Sequence, residues 1–218
     1  MPLPKSWPTV TPMVLAGVAT ETRMLDAGQH RLGTGSLDYR PGFIADDGAW
    51  LARLERELTW EQHRVRIFGR EHLTPRGCAW HGDPGAVYHY SGNELLPQAW
   101  TPGLQELRQQ VEAAAGTRFN SVLCNRYADG SQSMGWHSDD EADLGPDPTI
   151  ASLSLGSARR FLLRHRHDAQ QPRLECPLGN GDLLVMAGTL QRDWQHQVPK
   201  TAKPVGLRIN LTFRTIVG

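Results

Sequence analysis

His137, Ser138 and Asp139 place an imidazole and a carboxylate two residues apart. In an extended segment, residues i and i+2 project to the same side, so both groups can reach one metal ion. Joined by a distant histidine, the pair becomes a two-histidine, one-carboxylate facial triad. That set leaves coordination positions open and suits ferrous iron that must hold a co-substrate and O2 together. His196 is the candidate third ligand. The same donors also suit zinc, so the triad alone leaves hydrolysis and oxygen chemistry both open. His81, His165 and His167 read as ordinary surface histidines.

A second constellation lies near the C-terminus, where Leu207, Ile209, Leu211 and Phe213 alternate with Arg208, Asn210, Thr212 and Arg214. Period two puts the four polar side chains on one face of a strand. The apolar face can pack on a core, and the polar face lies either in water, as on an edge strand, or around something anionic. Asn125 and Tyr127, again two apart, aim an amide and a phenol one way. Together with Arg208, Asn210 and Arg214 they could supply donors for both carboxylates of a small diacid such as 2-oxoglutarate.

The elements that must position these groups are legible in outline. Trp50, Leu51, Leu54 and Leu58 recur at helical spacing behind a candidate cap at Asp46 or Asp47. Thr101 as cap, Pro102 at the first helical position, the stripe Leu104, Leu107 and Val111, and Gly116 as stop predict a second helix. Beyond residue 117, runs rich in Val, Leu, Ile and Phe are broken by Gly, Pro and Asp: 119–127, 150–155, 160–166, 182–187 and 207–215. That rhythm predicts antiparallel strands, with Asn180-Gly181 as a tight hairpin turn. The expected class is mainly β with flanking helices, two helices packed outside a β-sandwich or jelly-roll barrel. Residues 1–35, with four prolines and four glycines, read as an irregular N-terminal arm with one short strand at 13–19.

Composition bounds the function without choosing it. The 218 residues are 39% hydrophobic and 21% charged, as befits one compact domain. The 23 basic and 23 acidic residues cancel, so nucleic-acid binding has to come from local patches. Three scattered cysteines offer no disulfide framework and no zinc knuckle, and no apolar run is long enough to span a membrane. The expected protein is a cytoplasmic monomer.

Four ordered blocks resemble the signature of AlkB-type dioxygenases: Asn125 to Gly130, Gly135 to Glu141, His196, and Arg208 to Arg214. The resemblance covers roughly residues 36 to 216 and marks 36–218 as the dioxygenase domain. It implies a double-stranded β-helix that uses Fe(II), 2-oxoglutarate and O2. It implies His137, Asp139 and His196 as iron ligands, Asn125, Tyr127 and Arg208 at the distal carboxylate, and Asn210 with Arg214 near the carboxylate at the metal. The implied reaction is oxidative dealkylation of 1-methyladenine and 3-methylcytosine in DNA by hydroxylation and formaldehyde release. The same chemistry on RNA, single-stranded DNA or a protein side chain is the nearest alternative, and a non-catalytic metal-containing barrel is a further one.

A shorter patch, with Phe68, Tyr88, His89 and Tyr90, is similar to the duplex-preferring homologues. In those relatives an apolar wedge falls at Phe68, filling the space a flipped base leaves. The resemblance puts an aromatic at Tyr90 to sandwich the base against His137, with Tyr88, Asp140 and Glu141 reading its edge. Carboxylates there favour a cationic alkylated base over the neutral repaired one. Two arginine-rich stretches, 53–76 and 159–173, are candidates to follow the phosphates of duplex or single-stranded DNA.

Overall fold

The computed structural model describes residues 21–45, 48–62, 64–67, 70–90 and 93–217. Two sheets face each other. The smaller has five strands in the order β1 (Thr22–Met24), β13 (Arg173–Leu178), β12 (Arg159–His165), β15 (Trp194–Val198) and β10 (Met134–His137), numbered along the chain. The larger has seven: β2 (Gly28–Leu32), β3 (Gly35–Arg40), β14 (Asp182–Ala187), β11 (Ile150–Gly156), β16 (Arg208–Arg214), β9 (Ser121–Tyr127) and β6 (Gly77–Gly82). Two short hairpins, β4 (Arg64–Ile67) with β5 (Arg70–Leu73) and β7 (Tyr88–Tyr90) with β8 (Asn93–Leu95), stand apart from the sheets. This is the jelly roll that the strand rhythm predicts.

Alternation along the large sheet separates two cores. Ile209, Leu211 and Phe213 of β16 pack with Val122 and Cys124 of β9 and Ala151, Leu153 and Leu155 of β11. That layer lies beneath α1 (Ala49–Glu57) and α2 (Pro102–Ala115), which bury Leu54, Leu104, Leu107 and Val111 on it. The opposite face looks at the small sheet, where Ile150, Leu184 and Met186 meet Leu163, Leu174, Cys176 and Trp194. The polar half of β16 therefore points between the sheets, and Arg208, Asn210, Thr212 and Arg214 are all buried. A solvated edge strand is excluded.

Helix α2 begins and ends as its sequence predicts. The Thr101 hydroxyl accepts the Leu104 N–H at 3.3 Å, Pro102 opens the first turn, and Gly116 closes the helix at φ +67°. Such a cap is worth about 1 kcal/mol. Helix α1 starts at Gly48 in the left-handed region; Asp46 and Asp47 lie outside the described residues.

Three expectations are corrected. Asn180 and Gly181 do make a turn, but β13 and β14 belong to different sheets, so it is a corner between layers and not a hairpin. Gly181 sits at φ +76° with its α-carbon against the Ile44 carbonyl, where a Cβ would come within 2.1 Å of oxygen. Residues 21–35, placed in the irregular arm, supply β1 and β2, one to each sheet; β1 runs parallel to β13 in a register that fixes Arg23 opposite Leu174. Its residues are exposed, so no burial pattern announces it. Residues 1–20, including the strand expected at 13–19, lie outside the described residues. His81 is not on the surface: it is buried, with Nδ1 on the Ala99 carbonyl at 2.8 Å. No described helix is long and apolar enough to cross a membrane, and all three cysteines are buried and free.

Candidate active site

Pairing of β10 with β15 sets His137 directly opposite His196, with ring centroids 4.2 Å apart. Asp139 follows where β10 ends, held by two contacts: the Ser138 hydroxyl donates to the Trp194 carbonyl at 2.9 Å, and the Asp139 N–H donates to Gln191 Oε1 at 3.0 Å. One ligand atom from each of His137, Asp139 and His196 lies within 4.8 Å of the others. His137 Nδ1 lies 2.9 Å from the Gly135 carbonyl, which can only accept, so Nδ1 is the donor there and Nε2 is the nitrogen turned toward Asp139.

Electrostatics favour the ligating forms. Burial, followed by the neighbouring His137, lowers the pKa of His196 to about 3 and keeps its imidazole neutral. Burial pushes the Asp139 carboxyl up, but Arg214, His196 and His137 together hold it below its ordinary value. Arg214 Nη2 donates to Asp139 Oδ1 at 2.6 Å and Nη1 to the Tyr88 hydroxyl at 3.1 Å.

A stability consequence follows for the metal-free protein. A histidine whose pKa falls on folding binds fewer protons folded than unfolded, so its stability contribution is complete above an unfolded value near ~6.5 and is lost as pH falls toward the folded one. Burial moves His81 in the same direction. The urea midpoint of the metal-free protein is expected to drop steadily between about pH 7 and 5, and to drop less in His196→Leu. A wild-type midpoint that is flat across that window contradicts a neutral, buried His196.

The histidines share a cavity with the β16 face. Asn125, Tyr127, Ser152, Asn210, Thr212 and Arg214 line one side, with Leu123, Met134, Phe161, Met186 and Val198 as apolar walls. Phe161 stacks on His196 at 5.1 Å. Arg208, deeper along β16, is 1% exposed; Nη2 donates to Ser154 Oγ at 2.9 Å, and its Cζ lies 5.3 Å from the Tyr127 ring centroid. Its Nε and Nη1 have no hydrogen-bond partner among the described residues. Burial lowers its pKa to about 10, still far above neutrality. A buried guanidinium with two idle donors and no carboxylate of its own is a receptor for an anionic ligand.

Other members of the set are placed unequally. Asn125 Oδ1 accepts from Arg76 Nε at 2.7 Å, which fixes the amide orientation and makes Nδ2 the donor available to a ligand. Asn210 donates from Nδ2 to Ser152 Oγ and the Leu153 carbonyl and accepts from Thr212, so its amide is already engaged. Arg214, which the resemblance puts at the metal-side carboxylate, is already paired with Asp139. Tyr88 is buried, stacked on Trp80 at 4.9 Å, and bonded to both Arg214 and Glu141. Glu141 turns inward, its pKa raised by burial and its Oε2 unpartnered, whereas Asp140 faces solvent in an ion pair with Arg166 at 2.5 Å. Tyr90 lies on β7; Phe68 lies outside the described residues.

Sequence reasoning missed Gln191, Arg76, Phe161 and Arg164. Arg164, on the outer face of the small sheet, donates Nε and Nη2 to Gln195 Oε1 at 3.0 and 2.7 Å and stacks on Trp136 at 4.4 Å. It thus ties β15 and β10 at the residue preceding each histidine. Only the neighbouring histidines hinted at this, since the contacts span three strands.

The fold and the cavity define a jelly roll built around one metal ion and one small anion. Both groups fit: two imidazoles and a carboxylate suit Fe(II) with positions left open, and the idle donors of Arg208 suit one carboxylate of a diacid. Residues 41–214 match the 2OG-Fe(II) oxygenase superfamily, and the chain belongs to it. It is 38% identical to alpha-ketoglutarate-dependent dioxygenase alkB homolog 3 of Rattus norvegicus, over 94% of this chain and 74% of that protein. It is 39% identical to the DNA oxidative demethylase ALKBH2 of Mus musculus, over 84% of this chain and 80% of that one. Among solved structures OsALKBH1 shares the fold, with a TM-score of 0.61 at 16% identity over 86% of this chain and 99% of that one. The protein is therefore an Fe(II)- and 2-oxoglutarate-dependent oxygenase.

Proposed function

We propose that the protein oxidatively dealkylates N-alkylated bases in DNA, with 1-methyladenine and 3-methylcytosine as its substrate class. The observation that carries this reading is the cavity that His137, Asp139 and His196 share with Asn125, Tyr127 and Arg214, with the two idle donors of Arg208 behind Tyr127 and the carboxyl of Glu141 against Tyr88. The names of the relatives point the same way.

Bound Fe(II), 2-oxoglutarate and O2 supply the oxidising power for hydroxylating a carbon attached to nitrogen, with succinate and CO2 as the co-products. The chain's residues position the reactants. His137, Asp139 and His196 hold the metal. Arg208, with Asn125 and Tyr127, holds the distal carboxylate of the diacid, and Leu123, Phe161 and Val198 keep water from its carbon chain. Tyr88 and Glu141 offer a phenol and a carboxyl to the edge of a base, and the Glu141 carboxyl is the inward acid that can favour a cationic, alkylated ring. Once hydroxylated, the N-methyl carbon leaves as formaldehyde: its hydroxyl proton goes to solvent, the C–N bond breaks, and the electron pair stays on the ring nitrogen of the neutral base. Phe68 retains the wedge role within this proposal.

The test is formaldehyde and succinate release by iron-loaded protein with 2-oxoglutarate and ascorbate, on a 1-methyladenine oligonucleotide offered as single-stranded DNA, duplex DNA and RNA. Equal amounts of both products on DNA are expected. Formaldehyde on RNA alone moves the substrate to RNA. Succinate without formaldehyde on any strand moves it outside nucleic acid, and absence of both products leaves a metal-containing barrel without turnover.

A further inference from the structure

The arginines of the later run, 159–173, look fit to follow phosphates but are mostly engaged within the protein. Arg159 donates to the carbonyls of Asp129, Gln132 and Pro199, Arg160 pairs with Glu175 at 2.7 Å, Arg164 holds Gln195, and Arg166 holds Asp140. In the earlier run Arg53 pairs with Glu57 and Glu106, and Arg76 is buried on Asn125. Arg173 is the member of the later run whose side chain has no acceptor among the described residues. Three further arginines share that condition, Arg23 on β1, Arg31 on β2 and Arg56 on α1, all exposed.

Arg23, Arg31 and Arg173 line two adjoining grooves around the edge of the small sheet, with Arg23 beside Leu174 on its inner face and Arg173 beside Thr22 on its outer face. A groove of about 340 Å³ between β1, the turn after β2 and the start of β13 is lined by Arg23, Arg31, His165, Gln171 and Trp194. A second groove of about 300 Å³ shares His165 and Gln171 with it and adds Arg173. The acids that line them are already satisfied: Asp193 lies on Thr189 and Arg192, and Asp168 accepts from the Gln170 N–H and from Gln171. Trp194 links the first groove to the metal end of the cavity. His165 meets the Trp194 ring at 5.3 Å, and the Trp194 carbonyl accepts from Ser138, which lies between two of the proposed ligands.

We propose that Arg23, Arg31 and Arg173 wall a track for the phosphodiester backbone on one side of the target nucleotide, so that strands β1 and β2 serve as a nucleic-acid surface. This rests on the nucleic-acid reading given above. Unpaired guanidinium groups along a groove beside the site are the complement of a phosphate chain, and exposed cations without internal partners lose nothing on meeting it.

Binding of a labelled, unmodified oligonucleotide, single-stranded and duplex, is measured by anisotropy against salt concentration for wild type, Arg23→Glu/Arg31→Glu and Arg173→Glu. Lys200→Glu/Lys203→Glu, on the segment after β15 at the other end of the sandwich, is the control. Reversal in the track is expected to weaken binding about tenfold or more at low salt and to flatten the salt slope by about 1 to 2, the scale of one or two lost phosphate contacts. Thermal stabilisation by 2-oxoglutarate stays unchanged in the same variants, which shows that the cavity is intact. Equal losses in the track and control variants, or no loss in either track variant while wild type binds, overturn the track alone. A wild type that binds no oligonucleotide at low salt overturns the nucleic-acid reading itself.

Discussion

Arg208→Met is expected to lose 2-oxoglutarate affinity by about 30-fold to several thousand-fold, while the ligand-free protein becomes no less stable than the parent. Removing one partner of a buried, hydrogen-bonded charge pair costs about 2–5 kcal/mol, which sets that range. The second half of the expectation follows from what Arg208 lacks. Without ligand its guanidinium is 1% exposed, bonds neutral Ser154, and leaves two nitrogens unpartnered. Such a charge is a burden on the fold, and a methionine of similar length relieves it. The measurement is the melting temperature with and without 2-oxoglutarate. Wild type rises with ligand concentration and the variant does not. Arg208→Lys keeps the charge but not the planar fork, and falls between them. A variant that melts several degrees lower without ligand and is still stabilised by 2-oxoglutarate would make Arg208 structural and put the diacid elsewhere.

What was legible in the chain depended on whether the controlling interaction was local. The alternation in 207–214 announced a two-faced strand, because period two is a property of the strand alone, and burial of both faces in different cores made every position informative. The caps of α2 were equally local. His137 and Asp139 could be paired by spacing, but His196 joins them only through the register of β10 with β15. Which of Asp140 and Glu141 turns inward was not legible, since it depends on how Ser138 and the Asp139 N–H anchor the chain beyond β10. The later arginine run was half legible for the same reason: a run of like charge looks like a free surface until partners such as Glu175, Gln195 and Asp140 are placed. Asn180-Gly181 marked a turn correctly, yet which sheets it joins is a matter of topology.

Asp139→Asn should have the reverse signature to Arg208→Met: loss of metal binding together with loss of stability in the metal-free protein. The carboxylate is the one anionic ligand of the proposed metal, and its Oδ1 takes Arg214 at 2.6 Å with both side chains 4% exposed. An amide offers the metal a weaker oxygen and leaves Arg214 buried without its counter-charge. Breaking a buried pair from one side costs about 3–5 kcal/mol. Metal affinity, read by titration with Fe(II) or Mn(II), is expected to fall more than about 100-fold, beyond the range seen when only a residue supporting a ligand is lost. Arg214→Met alone leaves Asp139 as the uncompensated charge and is also destabilising. Combining the two removes both charges, so the double variant is expected to be more stable than the sum of the single losses predicts. Its acid sensitivity separates the pair from His196. Because Asp139 is held below its ordinary pKa, the pair's contribution is complete above an unfolded value near ~3.9 and is lost as pH falls through the folded one, below the window in which His196 acts. Additive losses in the cycle, or an Asn variant that keeps its metal, would remove Asp139 from the metal set. Arg208 and Arg214 project from the same face of one strand, and the sign of each substitution's effect on the empty protein tells which of them already has its anion.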